Sequence, residues 1–132
     1  MPLNVYEARI NMPKIVHFEI NADNPEKAIK FYEKVFDWKI NRWGGPADYW
    51  LVQTDEKDQS AINGAIMKRM DKATTVIFID VPSVDEYLKK VVKAGGKIVT
   101  EKAPIPGVGY SAYCTDTEGN VFGLFQGDPS AK

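Results

Sequence analysis

His17 is the chain's single imidazole, and Glu19 follows it two positions on in the run Ile15-Val16-His17-Phe18-Glu19-Ile20. In an extended strand that spacing puts both side chains on one face. An imidazole changes charge near neutral pH, and a neighbouring carboxylate can hold one tautomer or raise its basicity, so the pair could act as a general base. The same groups could equally bond their neighbours and do no chemistry. Asp80 ends a comparable apolar run: Glu19 and Asp80 could face a cationic ligand as two carboxylates, or be structural acids at strand ends. Tyr49 and Tyr110 each open an apolar run, where their phenols could flank a ligand as donors and walls or simply pack. One histidine excludes, by counting, any site built on two or more imidazoles. Cys114, the lone cysteine, has no partner for an intramolecular disulfide and no adjacent histidine to activate it, which fits an inert buried thiol.

These residues need elements to hold them. Residues 14–21 alternate with period two, Val16, Phe18 and Ile20 against Ile15, His17 and Glu19, which predicts a strand with one apolar and one partly polar face. Asn24-Pro25-Glu26 combines an N-cap type, a proline for the first turn and an acid, so a helix should start there and carry Ala28, Ile29, Tyr32 and Val35 to Asp37. Extended runs follow from Trp38, at 49–54 and at 62–67, separated by Gly44-Gly45-Pro46 and a polar stretch. The second half reads alike: a strand over 74–81, then a helix capped by Ser83 with Glu86 in capping-box spacing and ended by Gly95-Gly96. An extended run at 97–100, a loop at 104–107 and strands at 110–115 and 121–125 complete it.

The two halves align as a repeat. Residues 49–55 lie over 110–116, and Glu19-Ile20 over Asp80-Val81 at the same offset, with a slip where Lys39-Ile40 meets Lys97-Ile98. We read residues 1–13 as an extension, 14–70 and 71–126 as two β-α-β-β-β modules, and 127–132 as a tail. One helix covers one face of each four-stranded sheet, so the other face must find a cover or line a cavity. Two such modules edge to edge would form a curved mixed sheet around a cup, an α+β architecture. Alternation assigns Ile15, His17, Glu19, Val76, Phe78 and Asp80 to the cup. It further sets Tyr49, Leu51 and Gln53 on one side, with Tyr110, Ala112 and Cys114 on the matching side.

Composition narrows the partners. At 132 residues with 44% apolar and 27% charged side chains, the chain has the profile of one folded domain. Seventeen basic against 18 acidic residues leave no basic block for phosphates, so nucleic acid is not an expected partner. The sequence shows no run long enough to span a bilayer, and its start lacks a signal-peptide profile. A cytoplasmic protein is the expectation.

At this point the chain resembles the vicinal oxygen chelate superfamily of glyoxalases, bleomycin-resistance proteins, fosfomycin-resistance enzymes and extradiol dioxygenases. Val16-His17-Phe18-Glu19-Ile20, then Phe31-Tyr32 through Val35-Phe36-Asp37-Trp38, resemble that family's first strand and helix. Ala94-Gly95-Gly96-Lys97, the 104–110 segment and Asp116-Thr117-Glu118-Gly119-Asn120 carry the rest, and the likeness runs from Lys14 to Gln126. It implies the glyoxalase/bleomycin-resistance fold and commonly a homodimer. It does not choose among lyase, dioxygenase and binding protein, so whether the chain is an enzyme stays open. Metal-using members place His or Glu on the first and last strand of each module. The matching positions here are Ile15, Gly64, Val76 and Gly123, none of which can ligate through its side chain. We therefore expect no metal and no cofactor. A divalent ion held by a displaced His17 would lack its usual partners. The expected function is binding of a small organic molecule in the cup, with His17 and Glu19 as catalytic candidates and Phe78, Asp80, Tyr49, Tyr110 and Gln53 as ligand contacts. The alternatives are an antibiotic-sequestering protein of the bleomycin-resistance type and a metal-dependent lyase or dioxygenase with displaced ligands.

Overall fold

The computed structural model describes residues 12–132. The extension expected over residues 1–13 lies outside the described residues but for its last two. The chain forms two compact units, Val16–Ile77 and one that holds Phe78–Lys132, each described in turn.

In the first, β1 (Lys14–Ala22) leads to α1 (Pro25–Phe36), then β2 (Lys39–Arg42), β3 (Tyr49–Gln53) and β4 (Asn63–Lys68). The expected helix start holds: Asn24 accepts from Lys27 N at 3.2 Å, and Pro25 fills the first turn, where its missing N–H costs nothing. Asp37 ends the helix in the left-handed region at φ 57°. The strands are ordered β2-β3-β4-β1, antiparallel except for the parallel pair β1 and β4, which the helical crossover makes possible. Phe18, Ile20 and Ala22 of β1 join Val52 and Ile66 beneath Ala28, Ile29 and Tyr32 of α1. Burying Ile66 completely contributes about 1.5–3 kcal/mol. Trp38 stacks on Tyr32 at 5.1 Å and closes the end of this core. His17 and Glu19 therefore lie on the face of β1 turned away from α1.

The second unit repeats the order with β5 (Thr75–Asp80), α2 (Val84–Lys93), β6 (Lys97–Ile98), β7 (Ala103–Ile105), β8 (Gly109–Thr115) and β9 (Val121–Gly127). The strands run β5-β9-β8-β6, with β5 parallel to β9 and β7 also on β8. Ser83 Oγ accepts from Glu86 N at 3.1 Å, and Gly95 ends α2 at φ 99°, a conformation that favours glycine. Val81, Val84, Ala112, Cys114 and Leu124 form the core, with Tyr87, Leu88 and Val91 of α2 packed on it.

The structure departs from two expectations here. Pro104-Ile105, expected in a loop, belongs to strand β7: β7 has β8 on only one side, and an edge strand accommodates a proline's missing donor. The residues expected as a tail are tied down, with Gly107 N donating to Ala131 O at 2.8 Å and Ala131 buried. Among the described residues no helix is long and apolar enough to cross a membrane.

Candidate functional site

The register of the strands in Val16–Ile77 sets out the face that α1 does not cover. Across β1 and β4, His17 stands opposite Asn63, Glu19 opposite Ala65 and Asn21 opposite Met67. On β3, Leu51 stands opposite Ala65 and Tyr49 opposite Met67. Directly paired residues share a face, so these side chains project together. Gln53, two positions beyond Leu51, shares that face of β3 and is exposed.

Tyr49 ties the two catalytic candidates together. Its hydroxyl donates to Glu19 Oε2 at 2.7 Å and lies 2.9 Å from His17 Nε2. A tyrosine carries one phenolic proton, and with that proton given to Glu19 the oxygen accepts from Nε2–H. The Nε2–H tautomer is the one that makes this bond. Glu19 is 4% exposed, and a carboxylate buried that deeply needs hydrogen bonds to offset the loss of water. Burial also lowers the pKa of His17 below its usual 6.5, because desolvation disfavours the imidazolium, so the ring is neutral at neutral pH.

Two further residues complete this arrangement. Trp43 meets the Tyr49 ring edge to face, with centroids 5.8 Å apart and planes at 70°, and the Trp43 backbone N–H donates to the Tyr49 carbonyl oxygen at 2.9 Å. Asn21, also buried, accepts from Met70 N at 3.1 Å through Oδ1, while its Nδ2 makes no hydrogen bond among the described residues.

The other sequence-derived candidates are held by Phe78–Lys132. Phe78 packs edge to face on Tyr113 at 5.4 Å, over Gly123, on the face of β5 opposite Ile79 and Val81. Asp80 shares that face by alternation and is half-buried. Tyr110 is a correction. It packs into the α2-side core, and Lys102 Nζ sits 4.7 Å from its ring while bonding Asp85 at 2.8 Å. The repeat aligned Tyr110 with Tyr49, but Tyr110 pairs with Gln126, whose Oε1 accepts from Val84 N at the start of α2. Tyr49 pairs with Met67 on the side of its strand turned away from α1, and a shift of one residue reverses a strand's faces. Ala112 and Cys114 turn to α2 with Tyr110. Burial pushes the Cys114 thiol pKa up, in keeping with an inert group.

Of the positions matched to metal ligands, Gly64 also lies on the helix side, with its Cα beneath the Phe18 ring. Among the described residues no three His, Cys, Asp or Glu side chains gather. Among the described residues, one phenol engages both the imidazole and the carboxylate of this face.

The sequence model of the Glyoxalase/Bleomycin resistance protein/Dioxygenase superfamily matches residues 14–124. The chain belongs to this superfamily. A glyoxylase-like domain-containing protein from Didymella fabae is 28% identical over 117 residues, covering 84% of this chain and 91% of that protein. Solved superfamily folds agree. Methylmalonyl-CoA epimerase from Mycobacterium tuberculosis superposes with a TM-score of 0.66 at 15% identity, over 87% of this chain and 88% of that one. A hypothetical protein from Bacillus halodurans C-125 gives a TM-score of 0.65 at 13% identity, over 91% and 98%. Likeness at these identities establishes the fold of the superfamily and leaves the reaction to the site.

A cavity of about 410 Å³ opens elsewhere in Val16–Ile77, at the start of α1, lined by Asp23, Pro25, Arg42, Asp48, Trp50 and Lys68. Both of its cations are engaged: Arg42 pairs with Asp48 at 3.2 Å, and Lys68 Nζ donates to Asp23 O at 2.6 Å. It includes none of the candidate catalytic or ligand-contact residues.

Proposed function

We propose that this superfamily member binds a small organic molecule against the His17–Tyr49–Glu19 chain of its first module, with His17 as general base and no resident metal. The single observation behind this reading is the hydrogen-bonded chain itself. A half-buried imidazole kept neutral by desolvation is suited to act as a proton acceptor. When it does, the imidazolium strengthens its bond to Tyr49, and the Tyr49–Glu19 bond stabilises the positive charge. Gln53, on the same face of β3, is the proposed polar contact at the exposed margin. Several solved neighbours are named methylmalonyl-CoA epimerases, one in complex with methylmalonyl-CoA, so acyl thioesters belong among the compounds to test.

A thermal-shift screen of acyl thioesters, thiol adducts, short aldehydes, aromatic catabolites and cationic antibiotics tests the reading. A hit that disappears in both His17→Ala and Glu19→Ala supports it. A hit unchanged in both variants moves the ligand elsewhere. Tight binding of a cationic antibiotic without turnover overturns the base role in favour of sequestration. Elemental analysis of protein purified without chelators is expected to show no stoichiometric Ni, Zn, Fe or Mn. A full equivalent kept through dialysis overturns the metal-free part.

A further inference from the structure

We infer that Trp43 is a positioning residue for the site: its indole, seated on Gly45, holds the Tyr49 ring so that one hydroxyl meets both His17 and Glu19. The inference deepens the reading above and rests on the same hydrogen-bonded chain. Tyr49 is the first residue of β3 and Trp43 the first after β2. Arg42 pairs with Trp50, so Trp43 and Tyr49 stand directly opposite each other one step further up the hairpin, closed by Trp43 N to Tyr49 O. That geometry presents both rings on the face that carries His17. Edge-to-face packing is directional, so the indole restrains the tilt of the phenol and not only its distance from the sheet.

The loop carries a second feature that points the same way. A methyl group added at Gly45 would run into the six-membered ring of Trp43, whereas one added at the adjacent Gly44 would meet nothing within 4 Å. The obstruction at Gly45 is the far end of the Trp43 side chain, so Gly45→Ala should displace the indole while leaving the backbone unstrained. Glycine at 45 is therefore what lets the indole lie down beside Tyr49.

The lone histidine makes the test unambiguous, because the imidazole ¹⁵N and ¹H signals of the free protein belong to His17. The unaltered chain should show the pattern of a fixed Nε2–H tautomer. Trp43→Ala is expected to lose it, moving the two nitrogen shifts toward the average of both tautomers. Gly45→Ala should move them in the same direction, Gly44→Ala should leave them unchanged, and Trp43→Phe, which restores an aromatic edge, should keep the fixed pattern. The inference is overturned if Trp43→Ala and Gly45→Ala both keep the parent pattern, or if Gly44→Ala changes it as much as Gly45→Ala. Should Trp43→Ala fail to fold, the two glycine variants decide the matter. No ligand is used, so failure here and failure of the binding screen are separate results.

Discussion

Tyr49 reaches Glu19 along a diagonal. Its Cα stands opposite Met67, yet its hydroxyl meets Glu19 Oε2 at 2.7 Å, one pair of residues down the sheet and two strands across. The direct path runs over Ala65, which lies between Leu51 and Glu19 and is fully buried. A small residue on the central strand leaves room for the phenol to cross.

Enlarging that residue should therefore act on the site. Ala65→Val is expected to push the phenol off Glu19 and His17, with overpacking destabilising the fold by about 1–3 kcal/mol. The His17 ¹⁵N shifts should move toward tautomer averaging. Unchanged shifts in a folded Ala65→Val variant would show that the phenol takes another path.

Removing only the hydroxyl isolates its worth. Tyr49→Phe keeps the ring against Trp43 but deprives buried Glu19 of a donor, and an unsatisfied buried acceptor costs about 1–3 kcal/mol. Urea unfolding should show a lower midpoint at unchanged slope. A midpoint equal to the parent's would mean that the bond adds nothing to stability.

Protonation of His17 gives a pH signature. Its native pKa lies below the usual 6.5, so the unfolded chain takes up a proton that the folded chain resists. The stability linked to this group is fully present above pH 6.5 and is lost as pH falls from there through the native pKa, below which the contribution is flat. His17→Gln should remove that slope when urea midpoints are compared pH by pH. An identical slope in the variant would assign the effect to other groups.

The two glycines on the terminal strands of the modules should differ in tolerance. A methyl at Gly64 would strike the Phe18 carbonyl oxygen as well as its ring, whereas at Gly123 the nearest atoms all belong to the Phe78 ring. Backbone cannot move aside as a side chain can, so Gly64→Ala is expected to lose more stability than Gly123→Ala, by about 1 kcal/mol or more. Thermal melts of the two variants side by side would decide this, and equal losses would argue that Phe78 is as immovable as the strand.

Much of this fold was legible in local signals. The alternation from Ile15 to Ile20 marked β1 and separated His17 and Glu19 from the helix side. Asn24-Pro25, Ser83 with Glu86, and Gly95 placed the helix ends where the structure has them. The duplicated order of elements, together with the resemblance of the first strand and helix, indicated the superfamily. Each of these is a property of a few neighbouring residues whose backbone groups must be satisfied on the spot.

The site needed more. Tyr49 was readable as a candidate ligand contact, but not as the bridge between His17 and Glu19, because that bond depends on how β3 and β1 each register against β4. Ala65 carried no signal of its own, Gly45 read only as part of a chain break and Trp43 as a residue beside it, and all three acquire roles only through what crosses or rests on them. Tyr110 and Gly64 went to the helix side although the repeat and the resemblance assigned them elsewhere. The sequence by itself determined which segments are strands and helices, and that one imidazole and one carboxylate share a face. Only the tertiary structure decided which tyrosine joins them, because strand register is set by pairing between distant segments, and a shift of one residue exchanges the two faces of a sheet.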